Sequence, residues 1–244
     1  MATPNPNPVT IHLPSKYTDP TQQLSPNSAP PLPFLYRTWT VTHSTLSMWR
    51  SARNVRITYG ELPPLNKTNK KGEDQQQYLR MSDLVEYESA SGKGGVKSIE
   101  GIDTATSSGN DGTGAWDWKG KNWLLRLLAG TSHWEVLGWG ERVVPKTTTT
   151  ATTTADQEEA EGAAAAAADD EAQVERWMVT WFAPTLFTAE GLDVYSDRKE
   201  GGSKELVEEV LKELGRVTKG KGRLGELVEK EMRKVKVELP WKTA

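Results

Sequence analysis

Two-residue alternation of apolar and polar side chains runs through most of the chain between residues 34 and 196, and it predicts β-strands, because successive side chains on a strand point to opposite faces. Strands are expected at Leu35–Met48, Asn54–Leu62, Leu79–Glu88, Val96–Ala105, Ala115–Lys119, Trp123–Leu128, His133–Gly140, Arg176–Ala183 and Leu192–Ser196. Between them stand chain-reversing compositions: Pro63-Pro64, Gly92 to Gly95, Ser107 to Gly114, and Gly130. Eight or nine short strands with no helix among them predict one antiparallel up-and-down meander. Closing that meander into a barrel removes the edges that would otherwise pair with other chains. After Ser203, a suitable N-cap, the period changes. Leu206, Val207, Val210, Leu211 and Leu214 recur at helical spacing, and Gly215 is the expected stop. A second amphipathic stripe follows at Leu224, Leu227, Val228, Met232 and Val235. The fold class is therefore mainly β, with one or two C-terminal helices packed on the outside or at the mouth of the barrel.

Two segments fall outside this pattern. Residues 1–33 are rich in Pro, Asn, Thr and Ser and read as a mobile tail, and residues 146–174 form a low-complexity insertion. The domain itself is expected to span 34–244. The formal net charge of −3 conceals an uneven distribution. Residues 156 to 175 hold eight acids and no base, so the remainder is net positive, partly through Arg216, Lys219, Lys221 and Arg223 between the two helical stripes. No aromatic residues are interleaved with that basic cluster, which argues for a solvated turn rather than a nucleic-acid site. The absence of cysteine excludes disulfides, thiol nucleophiles and thiolate metal sites. No secretory signal and no long apolar run is evident, so the expectation is a soluble cytoplasmic protein, without a membrane partner and monomeric.

Ten Trp against three Phe mean a β framework built from large flat rings, which suit a deep core or the wall of an apolar pocket. Trp116 and Trp118 share one strand face, as do Trp177 and Trp181, and Trp134 and Val136 share another. Polar groups on the presumed inner face are His43, in step with Trp39 and Val41, and Tyr59, in step with Val55 and Ile57. Each needs a partner, whether ligand, water or backbone. Ligand-binding candidates are accordingly Trp39, His43, Arg56, Tyr59, Trp116, Trp118, Trp134, Trp177 and Trp181. His133 and Glu135 also share a face. They either hold a ligand carbonyl together or sit on the solvent side while Trp134 and Val136 point inward.

The segments Arg53–Tyr59, Ala115–Gly120, Ser132–Gly140 and Thr185–Asp193 resemble the lipocalin-like (calycin) proteins of filamentous fungi, a group that includes pericyclases of polyketide-type natural-product pathways. The resemblance covers roughly residues 34 to 215 and implies a lipocalin-like barrel in which Trp39 plugs the closed end. In two respects the sequence departs from the lipocalin pattern: Arg37 stands where that signature has Gly, two residues before the Trp, and the long low-complexity insertion stands just before the strand expected to begin at Arg176.

Hydrolytic and metal chemistry find no support in the motifs. Ser132 and His133 are neighbours on opposite strand faces, no nucleophile elbow occurs, and His12, His43 and His133 show no ligand spacing. No cofactor is implied. Three functions remain open: a barrel binding an apolar small molecule in a Trp-lined cavity, a pericyclase folding a polyene for cycloaddition, and a non-catalytic interaction protein whose barrel is filled by its own side chains.

Overall fold

The computed structural model describes residues 8–19, 29–68, 75–107, 114–121, 131–144, 173–186 and 188–243. Among them the chain forms nine antiparallel strands: β1 (Thr38–Ser44), β2 (Ala52–Thr68), β3 (Gln75–Ser89), β4 (Lys97–Ala105), β5 (Ala115–Gly120), β6 (Ser132–Val144), β7 (Gln173–Phe182), β8 (Gly191–Ser196) and β9 (Arg233–Lys234). Each strand from β2 to β7 pairs with the next in sequence, β8 pairs with β1, and β1 pairs back with β2, so the up-and-down sheet closes into a ring. The expected strand at Trp123–Leu128 and most of the 146–174 insertion lie outside the described residues.

The closure is compound. Thr38 to Thr40 pair with β2, while His43 and Ser44 pair on the same edge with β9. Where β1 and β2 diverge, the C-terminal segment fills the gap. The Val235 amide donates to the Thr42 carbonyl and the Asn54 amide to the Lys236 carbonyl, both at 2.8 Å. Asn54 takes a left-handed φ of 51° there, a conformation its short polar side chain tolerates. Its amide group donates to Glu88 and to the Glu238 carbonyl, and its Oδ1 accepts from the Glu238 amide.

Several expectations are corrected. Pro63-Pro64 does not end a strand: β2 runs through it, and the register against β3 shifts between Leu62 and Leu65, a bulge that accommodates two residues lacking N–H donors. The helix Lys204–Thr218 passes through Gly215 because Thr218 is buried and bonds back to the Leu214 carbonyl; Gly220 and Gly222, both at positive φ, end it instead. Ser203 caps the helix as expected, its side chain accepting from the Leu206 amide. The second stripe makes only one α-turn, Arg223–Glu226, and a π-helical turn, Leu227–Glu231, before the chain extends as β9. Val235 consequently packs inside the ring rather than on a helix face.

The expected mobile tail is corrected where it is described, while residues 1–7 and 20–28 lie outside the described residues. Val9 and Ile11 are buried, and the His12 amide donates to the Leu137 carbonyl, so residues 8–19 lie as a strap on the outer wall. The strap fits because Gly138 has no side chain, since a Cβ there would stand 2.6 Å from the Thr10 carbonyl oxygen. Apolar alternation at Val9, Ile11 and Leu13 outweighs the Pro/Asn-rich composition that surrounds it.

Two apolar clusters result. Inside the ring lie Trp39, Val41, Trp49, Val55, Ile57, Tyr59, Met81, Trp116, Trp134, Met178 and Tyr195. Outside, Leu137, Trp177, Val179, Trp181, Leu192 and Val194 of β6 to β8 meet Leu206, Val210, Leu214, Leu224 and Leu227 of the helical region and Val9 and Ile11 of the strap. Strands β7 and β8 are thus covered on both faces. Among the described residues no helix is long and apolar enough to cross a membrane.

Candidate functional site

The two ends of the ring differ in how they are filled. At the end where β1 begins, the single turn Leu32–Leu35 brings Phe34 to 5.3 Å from Trp39 and 4.8 Å from Trp139, measured between ring centroids. Trp39 is fully buried; its indole N–H donates to the Leu35 carbonyl at 3.1 Å, and the Arg37 guanidinium lies over its ring. This end is plugged. Trp116 belongs to the same packed half, one ring away from Trp134.

At the opposite end, where the β1–β2 and β7–β8 connections lie, the interior holds a cavity of about 250 Å³. Its walls are Ile57 and Tyr59 of β2, Asp83 and Val85 of β3, Ile99 of β4, Trp118 of β5, Trp134 of β6, Phe182 of β7 and Asp193 of β8, with Leu46, Met48 and Trp49 from the β1–β2 connection. Tyr59 stacks on Trp134, with centroids 5.7 Å apart and planes inclined by 12°. Trp118 reaches inward over Gly101, where a Cβ would overlap its indole, and so stands beside Asp83.

Three aspartates face this interior. Asp83 pairs with Tyr59 across β2 and β3 and is 8% exposed; Asp193, opposite Ser44 on β1, is 1% exposed. Asp103 lies deeper, fully buried, and its Oδ1 accepts from the Trp134 indole N–H at 2.7 Å. In each, one oxygen lacks a hydrogen-bond partner: Oδ1 of Asp83, Oδ1 of Asp193 and Oδ2 of Asp103. Loss of water disfavours the charged form. Burial pushes Asp83 up to about 7, with the Trp118 indole opposing the shift. Asp193 is also pushed up to about 7 by burial, against Ser44, the Trp49 indole and the charge of Arg50. Asp103 is held well above the usual carboxylate range by burial and by the neighbouring Asp83 charge. The hydroxyls of Tyr59 and Tyr195, fully desolvated in the same interior, are likewise raised.

Of the nine residues singled out from sequence, Tyr59, Trp118 and Trp134 line the cavity, and Trp39 and Trp116 fill the plugged half. Four stand elsewhere. His43 lies on the outer wall, because the register of β1 against β8 shifts between Val41 and His43 and reverses the facing of every later residue; Ser44, not His43, turns inward toward Asp193. Burial and the neighbouring Lys234 lower the His43 pKa. Arg56 faces outward between Val55 and Ile57; it pairs with Glu86 at 3.1 Å, donates to the Lys242 carbonyl and lies 5.0 Å from the Trp241 centroid. Trp177 and Trp181 belong to the outer cluster under the helix, and the Trp181 indole donates to Glu190 at 3.0 Å. Parity alone could not place them, since β7 is buried on both faces.

His133 and Glu135 also lie on the outer face, while Trp134 and Val136 point inward. His133 bridges Asp117 at 3.1 Å and Glu135 at 3.2 Å. Glu135 is nearly buried and accepts from the backbone amide and hydroxyl of Ser15, so the pair anchors the strap. The Glu135 hydrogen bond raises the His133 pKa, aided by Asp117.

The residues that sequence reading passed over are the three interior aspartates. Their signal was present: Asp83 is in step with Leu79, Met81 and Val85, Asp103 with Ala105, and Asp193 with Tyr195. An acid on the apolar parity of a strand is the mark of an inward carboxylate. Comparison with known proteins adds no name to this geometry: no protein-family model matches the sequence, and no curated protein is similar to it.

Proposed function

We propose that this protein is a lipocalin-like barrel that binds a small, largely apolar molecule at the open end of its interior. The observation that carries the reading is the 250 Å³ cavity walled by Trp49, Tyr59, Trp118, Trp134 and Phe182, with two buried acids in its lining. A ring filled solid by its own side chains, as a pure interaction protein would have, leaves no such space. The plug of Phe34, Trp39 and Trp139 at the other end supports the same view, since one blind end makes the interior a cup. The volume lies just below the range usual for drug-sized ligands, which points to a compact ligand.

The test is tryptophan emission during titration with toluene, naphthalene and N-phenyl-1-naphthylamine. A saturable change is expected in the wild-type protein and its loss in Val85→Trp, which fills the cavity while sparing its polar groups. No saturable change with any of the three compounds would overturn the reading.

A second reading, a cofactor-independent pericyclase, is favoured by the elevation of Asp83 and Asp193 to about 7. A protonated carboxyl at the cavity wall donates a hydrogen bond to a substrate carbonyl. Positioning supplies roughly 7 to 11 kcal/mol of a cycloaddition barrier, and one well-placed donor about 3 kcal/mol more. This reading requires affinity for a neutral carbonyl compound to fall as the pH rises through 7.

A further inference from the structure

We infer that the ligand of the interior cavity carries a positively charged nitrogen, an ammonium group attached to a compact apolar body, seated between the aromatic wall and the carboxylates of Asp83 and Asp193. The inference rests on the reading of the cavity as a binding site and deepens it by naming the chemical class. Two independent observations converge. First, Asp83 and Asp193 are each more than nine-tenths buried, both line the cavity, and each has an Oδ1 without a hydrogen-bond partner. A buried acceptor left unpaired costs free energy, and a buried carboxylate without a cation costs more. Among the described lining residues there is no Lys, Arg or His to supply that cation. Arg50, whose charge reaches Asp193, is committed to the Ser44 and Glu231 carbonyls.

Second, the rest of the lining is what an ammonium group prefers. Trp49, Tyr59, Trp118, Trp134 and Phe182 present aromatic surface around one small volume. Ring faces attract cations through their quadrupole, and aromatic cages of this kind recognise quaternary ammonium groups. An apolar ligand without charge would use the rings but leave both carboxyl groups unanswered. A carboxylate or phosphate ligand would meet two acids and no base. Among the described residues, the wider groove of about 490 Å³ on the outer wall between Tyr78 and Lys119 contains no buried unpaired acceptor.

The groups facing the two acids fix the sign of the pH dependence. Asp83 meets Tyr59 from β2, Asp103 from β4, Trp118 from β5 and Tyr195 from β8. Asp193 meets Ser44 and the Trp49 indole from the β1 side, with Arg50 the charge that acts on it. Burial raises both facing tyrosine hydroxyls further above their ordinary value, so the change in charge across this range comes from the acids. A cation therefore binds better as the acids lose their protons.

The experiment compares three molecules of one shape on the full chain by tryptophan fluorescence: benzyltrimethylammonium, a permanent cation; neopentylbenzene, its neutral hydrocarbon counterpart; and phenyl tert-butyl ketone, a neutral acceptor. At pH 8 the cation is expected to bind at least tenfold tighter than the hydrocarbon. Its affinity should rise from pH 5.5 to 8, and the preference should fall severalfold in Asp193→Asn and in Asp83→Asn while hydrocarbon binding persists. If one variant does not fold, the other and the wild-type pH profile still decide. Equal binding of cation and hydrocarbon, or a ketone preferred over the cation and weakening above pH 7, overturns the charged-nitrogen assignment while leaving the cavity a binding site. Failure of all three to bind removes both.

Discussion

At the scale of single residues, the interior aspartates are a liability to folding that a soluble core normally avoids. Asp83 has a folded pKa of about 7 against 3.8 for the free group, so the folded chain holds a proton that the unfolded chain has released across that interval. Stability from this group is therefore highest below pH 3.8, falls as the pH rises towards 7, and is flat above it. A displacement of about three units corresponds to roughly 4 kcal/mol at most. Asp83→Asn removes the titration but leaves a buried amide to satisfy, which costs about 1–3 kcal/mol. The variant is expected to be more stable than wild type at pH 8 by on the order of 1–3 kcal/mol, with the difference shrinking or reversing at pH 4. Urea denaturation of both proteins at the two pH values measures this. A difference independent of pH would mean that Asp83 is already ionised in the folded protein, with a cationic partner of its own. Carboxylates elsewhere behave in the opposite way: Glu88, which accepts from Asn54, Arg53 and the Lys242 amide, is held below its ordinary value despite burial, and its support is lost on acidification. The same carboxyl group is thus used structurally where it has partners and is left with an unpaired oxygen where it lines the cavity.

At the scale of elements, strand alternation was legible wherever one face is apolar, and it located β3 to β8 and the start of β2 to within a few residues, while β2 runs on past its expected end at Leu62 to Thr68. It failed where the side chains give no sign of a local change. The bulge between Val41 and His43 inserts a residue without any glycine to mark it, and it moved His43 from the inner face to the outer wall. Trp177 and Trp181 were read correctly as sharing a face, but the face belongs to the helix Lys204–Thr218, whose apolar stripe has nowhere else to go. The strap was missed for a compositional reason: three apolar residues within a Pro-rich stretch carry little weight until the wall they cover is known. That wall makes a specific demand on β6. Gly138→Ala sets a methyl group 2.6 Å from the Thr10 carbonyl oxygen, a backbone atom that can retreat only by lifting the strap. The expected cost is about 1–3 kcal/mol, typical of overpacking. Cleavage of residues 8–19 by a limiting amount of protease should become faster in parallel. Unchanged stability and unchanged cleavage would indicate that the strap rests on the wall without packing tightly against it.

At the scale of the whole molecule, the ring is closed by three strands rather than two, and that arrangement sets where the protein is vulnerable. An up-and-down sheet closed by its first and last strands needs only β1 to pair with β8 and β2, but here β1 parts from β2 after Thr40, and β9 takes the vacated edge at His43 and Ser44. The C-terminal segment also places Val235 in the interior cluster, satisfies the side chain of Asn54 and delivers the Lys242 amide to the buried Glu88. Every one of these contacts lies at the end of the ring that holds the cavity, since β1 ends and β2 begins there. Ending the chain after Met232 therefore removes a buried valine, worth about 1.5–3 kcal/mol, and several buried hydrogen bonds of about 1 kcal/mol each. The truncated protein should unfold at clearly lower denaturant concentration, and amide exchange should accelerate first at Asn54 and at the ends of β1 and β2. The plugged end, where Phe34 packs on Trp39 and Trp139 and the Trp39 indole donates to the Leu35 carbonyl, should keep its protection. Uniform loss of protection around the ring would mean that the two halves unfold as one unit. A local opening instead makes β9 the element that holds the cavity wall in place.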